Sequence, residues 1–332
     1  MDPFTHAIVG VGVGALSGQP LSPYNPIYCA AVFGAVAPDL DVITKLKGDY
    51  SFLRHHRGIS HSLSGILLIS AAIAGIVYVD FGGSLWLYFL WAVIGALSHV
   101  TLDFFNSYGA TLWWPLSSKK RTGNLLMFMD PVLLLFFAPV FVAYQKPRLA
   151  AVVSLILFAA YLVLRWKMRL QVENFLKKHF NLKSHTEKLA VMPALRGIAS
   201  WDFLIDSPLQ VTRGTMHYFG QQINSILFLD KKTLTPLTLK ALQTAPGRFF
   251  QQFTSFYYID QWEEKGKTFV KLMDLRFGNK SDFFYKLTMV FNKQWRLEKA
   301  SIYRLNDIIP LNIGRDIPFH TPLPGGSSRK LQ

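Results

Sequence analysis

Nine histidine and aspartate side chains near the ends of apolar runs stand out in the first 130 residues: His6, Asp39, Asp41, His55, His56, His61, His99, Asp103 and Asp130. His99 and Asp103 are four apart, so on a helix they share one face and can hold one metal ion. Asp39 and Asp41 sit two apart in "PDLD", where Pro38 breaks a helix. The stretch "RHHRGISHS", Arg54 to Ser62, stands directly before "LSGILLISAAIAGIVYV". Gly58 would allow a tight turn there, and Ser60 would cap the helix that follows. Neutral imidazole with carboxylate suits zinc or manganese. The set exceeds what one tetrahedral ion needs. Two or more ions close together suit phosphoester hydrolysis, since they generate a nucleophile and stabilise the attacking and leaving oxygens. Arg57 and the cluster Lys119, Lys120 and Arg121 would steady an anionic substrate. Blander roles compete with these. His55 is duplicated by His56 and reads as a helix-end residue. Asp103 would serve as a solvated helix end. Asp130, followed by Pro131, also fits a helix N-cap. The 119–121 cluster fits a topological signal better than a catalytic one.

The elements that would carry these residues are six apolar runs: Thr5–Ser17, Tyr28–Ala37, Ser62–Val79, Leu85–Leu102, Pro131–Tyr144 and Leu149–Trp166. A spanning helix needs about 20 apolar residues. The third, fourth and sixth runs meet that, the fifth is slightly short, and the first two are short enough to be tilted spans or a re-entrant pair. "GVGVGAL" in the first run has no preceding strand, so a nucleotide loop is a weak reading and close helix packing a better one. In an up-and-down bundle, every ionisable residue named above falls at one membrane face. Polar groups at membrane depth are costly and face the bundle interior.

The bulk properties agree with a membrane protein. The chain has 332 residues, 51% of them hydrophobic, 27 Phe and a mean hydropathy of +0.24. The formal net charge is +15 and is uneven. Residues 1–166 hold ten Lys/Arg against seven Asp/Glu, and residues 167–332 hold twenty-five against thirteen. A lone cysteine, Cys29, excludes an intrachain disulfide framework and a cysteine zinc site. With no basic n-region or small-residue cleavage site, a cleaved signal peptide is not expected. The loops after the second, fourth and sixth runs carry most Lys/Arg, and the opposite loops hold Lys146 and Arg148. The positive-inside rule then places the ionisable face and the tail in the cytoplasm. After Arg169 the character changes. "LQVENFLKKHF" reads as an amphipathic linker helix, and "TFVKLMDLRFG" and "DFFYKLTMVFNKQWRLEKASIYRL" alternate as half-buried strands do.

The expected fold is therefore an α-helical membrane bundle of about six apolar helices, two of them re-entrant candidates, followed by a small β-rich α+β cytoplasmic domain. The expected boundaries are 1–168 for the membrane domain, 169–189 for the linker helix, 190–305 for the β-rich domain and 306–332 for a disordered tail.

The segments "THAIVGVGVG", "APDLD", "HRGISHS", "GALSHVTLDFFNSYGATLWWPLS" and "FMDP" resemble the YdjM-like family of LexA-regulated, inner-membrane metal-dependent hydrolases. The resemblance covers roughly residues 1–170. "WDFLIDSPLQVTRG" in the tail is similar to longer bacterial members. The family is distantly similar to zinc-dependent phospholipase C and its nuclease relatives, which implies a helical, multi-zinc phosphodiester hydrolase. The implied metal ligands are His6, Asp39, His56, His61, His99 and Asp103, holding two or three zinc ions or manganese. Asp41 or Asp130 is then expected to take the proton of the attacking water, and Arg57 to offset developing charge. The expected partner is an anionic membrane lipid or another phosphoester, in a multi-pass protein of the bacterial inner membrane. A non-catalytic metal-binding protein or transporter is the alternative. A third reading gives the basic tail to DNA or a protein partner, but no nucleic-acid motif is visible.

Overall fold

The computed structural model describes residues 1–47, 58–107, 109, 116–117, 121–143, 145–183, 186–195, 197–278, 283–304 and 307–311. The chain divides into two compact units. The first comprises the described residues of Met1–Leu46, His55–Gln171 and Met192–Ile198. The second comprises those of Lys47–Arg54, Val172–Val191 and Ala199–Gln332.

In the first unit, α1 (Pro3–Ala15) begins on an Asp2 cap, whose carboxylate accepts from the Thr5 backbone N–H, with Pro3 in the first turn. Helix α2 (Pro26–Val36) starts the same way on Asn25 and runs into a 3-10 segment, Ala37–Lys47. Alone, α1 and α2 are too short to span, but Pro26–Ile43 together gives an 18-residue segment apolar enough on average to cross a bilayer. Helices α3 (Leu63–Phe81) and α4 (Leu85–Phe105) are long and apolar enough to cross a bilayer. The fifth expected run is two short helices, α5 (Pro131–Phe137) and α6 (Pro139–Val142). Pro139 supplies no N–H and breaks the run. Helix α7 (Pro147–His179) has 33 residues. Among the described residues, four segments therefore meet the length and hydropathy of a span, against the six runs expected.

The linker helix expected at 169–189 is, up to His179, the last turns of α7. No glycine or proline interrupts the chain between Arg148 and His179, so the helix continues past its apolar part.

Helices α2 and α4 make the closest packing. Ala30, Ala31, Ala35, Ala92 and Ala96 are fully buried. A Cβ on Gly34 would run into the Ala92 carbonyl, and one on Gly95 into the Ala31 carbonyl. Only glycine lets the two backbones approach that far.

Arg165 lies inside the apolar α7 and is buried. Its Nε donates to the Leu125 carbonyl at 2.9 Å and its Nη1 to the Ile198 carbonyl at 2.5 Å. Arg169 donates to the Gly123 carbonyl at 2.6 Å. The 123–125 backbone is tied in turn to α4, through Gly123 N–H to Phe104 O and Leu125 N–H to Phe105 O. Arg165→Leu should therefore lower stability by roughly 3 kcal/mol or more, since two carbonyls lose charged donors. Arg165→Lys should recover only part, because one ammonium does not reproduce the planar fork. Thermal unfolding in detergent checks both.

Beyond α7, strands β1 (Lys188–Pro193), β2 (Ser200–Asp206), β3 (Gln210–His217) and β4 (Gln222–Asp230) form one sheet in chain order. Helices α8 (Pro236–Gln243) and α9 (Ala245–Phe253) follow. A second sheet has β5 (Tyr257–Glu264), β6 (Lys267–Asp274), β7 (Tyr285–Phe291), β8 (Leu297–Arg304) and β9 (Asp307–Leu311), again in chain order. Its pairings are antiparallel. Alternate residues Val270 and Leu272, and Leu287, Met289 and Phe291, point to one face, where Leu237, Ala241, Phe249 and Phe250 cover them. The expected disordered tail begins too early, because 307–311 is an edge strand. Ile309 and Leu311 join the core, and Pro310 is tolerated because the strand has a free side. Residues 312–332 lie outside the described residues.

Candidate metal centre

Helix α4 presents His99 and Asp103 on one face, as their spacing requires. Asp39 arrives from the 3-10 segment after α2, and His61 from a 3-10 turn, Ile59–His61, just before α3. The expected cap Ser60 is not the cap of α3. Ser62 is, accepting from the Gly65 N–H at 3.1 Å. Asp39, His61, His99 and Asp103 offer ligand atoms that all lie within 4.8 Å of one another.

The hydrogen bonds fix which atoms face inward. His99 Nδ1 is 2.7 Å from the Ala35 carbonyl, which can only accept. The proton is therefore on Nδ1 and the lone pair on Nε2. Ser60 Oγ donates to Asp41 Oδ2 at 3.3 Å and stands 2.9 Å from His61 Nδ1. With its hydrogen given to Asp41, the hydroxyl oxygen accepts from His61 Nδ1–H, and the His61 Nε2 lone pair also points inward.

The centre is thus four acceptors facing each other: two imidazole lone pairs and two carboxylates. The Nε2 atoms of His61 and His99 are 3.0 Å apart. His61 Nε2 is 3.6 Å from Asp39 Oδ1 and 3.3 Å from Asp103 Oδ2. His99 Nε2 is 3.5 Å and 3.6 Å from the same two oxygens. Ligands about 2.0–2.1 Å from one tetrahedral zinc would be about 3.3 Å apart. The separations fit one divalent ion. Asp39 Oδ1 is buried and makes no hydrogen bond among the described residues, as an atom meant for a cation would.

Around this core, the His6 ring stacks on His99 at 3.7 Å between centroids, with Nε2 3.6 Å from Asp103 Oδ1. Both His6 nitrogens are buried and make no hydrogen bond among the described residues. The Met1 terminal amine ion-pairs with Asp103 Oδ1. Asp41 Oδ2 is 4.0 Å from His61 Nδ1, placing this carboxylate behind the centre.

Asp130 stands apart from these four groups. It caps α5 through the Val132 and Leu133 N–H groups, and its two oxygens accept from Tyr161 Oη at 3.2 and 3.1 Å. His55, His56, Arg57, Lys119 and Lys120 lie outside the described residues, and Arg121 is exposed.

Ser60 and the Ala35 carbonyl were not foreseen as orienting groups. A backbone carbonyl leaves no trace in sequence, whereas a hydroxyl inside an ionisable motif could have been noticed. Arg165 was missed too, although a charged residue near the end of an apolar run is itself a signal. Ser60→Ala should leave the four ligands in place yet lower metal affinity about 10–100-fold, the usual cost of losing an orienting partner. Competition with a chelating dye measures this.

A helical, multi-spanning protein with a buried His/Asp constellation at the helix ends is the class that fold and site define. Residues 1–172 match the family model described as YdjM inner membrane protein, and the chain belongs to that family of membrane proteins. Residues 236–305 match the YfhP C-terminal alpha/beta plait domain. The uncharacterized protein YfhP of Bacillus subtilis (strain 168) is 25% identical over 299 residues, which cover 85% of this chain and 89% of the relative. No solved structure matches the chain.

Proposed function

We propose that the protein is a membrane-bound, metal-dependent hydrolase of phosphoester bonds acting at the cytoplasmic face. The observation that carries this is the convergence of four acceptors, Asp39, His61, His99 and Asp103, at separations suited to a divalent ion. The donor set favours zinc, with manganese as the substitute. A complement of two or three ions would also draw on His6 and on His56. When bound, such ions supply Lewis acidity toward a phosphoryl oxygen and acidify a water.

The chain's own residues do the rest. Ser60 and the Ala35 carbonyl hold the two imidazoles with their Nε2 lone pairs inward. Asp41, through Ser60, orients the His61 ring from behind the centre. The oxygens of Asp130 are engaged by a helix cap and Tyr161. Arg57 offsets charge developing on the phosphoryl group. The Lys/Arg excess in the loops on this side favours the cytoplasmic orientation.

The test is hydrolysis of bis(p-nitrophenyl) phosphate and phosphatidylglycerol by the purified protein, before and after chelation and with zinc or manganese restored. Turnover that disappears with chelator and returns with metal is expected. A metal-loaded protein that hydrolyses neither would leave the non-catalytic metal-binding alternative.

A further inference from the structure

His61, His99 and Asp103 are fully buried, and Asp39 is the member of the group of four that reaches the surface, with its side chain 14% exposed. The approach to the centre therefore passes Asp39. The residues beside that opening are apolar and turned outward. Leu40, Val42 and Ile43 follow Asp39 in the chain and are about half exposed. Ile59 and Leu63 are similarly exposed on the segment carrying His61, and the Ser60–Asp41 hydrogen bond holds this segment against the first. The polar side chains between them, Asp41, Ser60 and His61, are directed inward. The exposed apolar side chains beside the opening lie on the 37–43 and 58–65 segments. Both belong to, or directly precede, segments apolar enough to span. The described rim of the opening therefore carries hydrocarbon at the ends of membrane helices.

From this we infer that the substrate is an amphiphile, a phosphoester carrying an alkyl or acyl chain. It enters from the bilayer interface, with its chain laid on Leu40, Val42, Ile43 and Ile59 and its phosphoryl group directed at Asp39. This rests on the hydrolase reading for its chemistry but not for its binding geometry.

Binding and turnover are measured separately in full-length protein in nanodiscs. The binding probes are decylphosphonate and methylphosphonate, and the turnover substrates are phosphatidylglycerol and bis(p-nitrophenyl) phosphate. Each buried methylene strengthens binding about fourfold, so decylphosphonate should bind at least tenfold tighter than methylphosphonate. Bilayer partitioning contributes equally in wild type and variant, so the comparison isolates the rim. Leu40→Lys combined with Ile59→Lys should remove most of the gap and raise KM for phosphatidylglycerol about tenfold. Metal content should not change. The milder pair Leu40→Ser and Ile59→Ser should move both quantities the same way if the lysine pair does not fold. A chain-length gap that is absent in wild type, or persists unchanged in the folded variants, overturns the inference even where hydrolysis is observed. A gap lost in the variants with no hydrolysis of either substrate supports the approach route and overturns the hydrolase reading instead.

Discussion

Asp103→Ala is expected to empty the metal centre. The carboxylate is fully buried and lies 3.3 Å and 3.6 Å from the lone-pair nitrogens of His61 and His99. Structural zinc binding is worth about 10–16 kcal/mol in small sites, or roughly 3 kcal/mol for each of four ligands. Losing one ligand should weaken metal binding by more than about a hundredfold. Phosphoester turnover should fall to background with it. Asp130→Asn is the matched contrast. Asparagine caps a helix nearly as well as aspartate, and Asp130 is engaged by the α5 N-terminus and Tyr161. That variant should keep its metal, with at most a modest loss of stability. Chelator competition and thermal unfolding of the two purified variants distinguish a ligand from a cap.

Gly34→Leu and Gly95→Leu should be nearly as damaging, although neither residue touches the centre. Each glycine faces a backbone carbonyl of the other helix closely enough that even a Cβ collides. A leucine must push α2 and α4 apart by on the order of 1 Å to restore normal contact. Overpacking of this kind costs about 1–3 kcal/mol. The larger consequence is functional. The 2.7 Å bond from His99 Nδ1 to the Ala35 carbonyl crosses this interface, and Asp39 follows directly from α2. Separating the helices frees the His99 ring and withdraws Asp39 from His61 and His99. Metal affinity should fall at least tenfold, in line with loss of an orienting partner. Gly75→Ala is the control. Nothing lies within 4 Å of a Cβ at Gly75, and alanine is the better helix former by up to about 1 kcal/mol. It should leave stability and metal binding intact or slightly improved.

Much of the site was legible because its chemistry is local. The i, i+4 pairing of His99 and Asp103 states its own geometry, and the placement of Asp39 and His61 at helix ends on the same side follows from alternating helix direction. The Asp130–Pro131 pair was ambiguous for a physical reason: a capping aspartate and a catalytic one both stand at a helix start, and only the Tyr161 contact, 31 residues away in the chain, separates them. Strands β6 to β8 were legible from strict alternation, whereas β9 was not, because "DIIPL" is short and contains proline. The continuity of the expected linker helix with α7 was missed for the opposite reason. Hydropathy falls after Trp166, but helix propensity does not, so α7 runs on to His179. Close helix packing was legible from the glycines of "GVGVGAL", but the Gly34 and Gly95 contacts were not, since packing register is a property of the assembled bundle.

The central claim is that Asp39, His61, His99 and Asp103 bind one divalent ion together. X-ray absorption at the zinc edge, on purified protein whose metal content has been counted, tests it most directly. The account predicts at least one tightly held ion per chain and a shell that includes two imidazoles with Zn–N about 2.0–2.1 Å. Protein that holds no stoichiometric metal after supplementation, or holds zinc without imidazole in its shell, would contradict it.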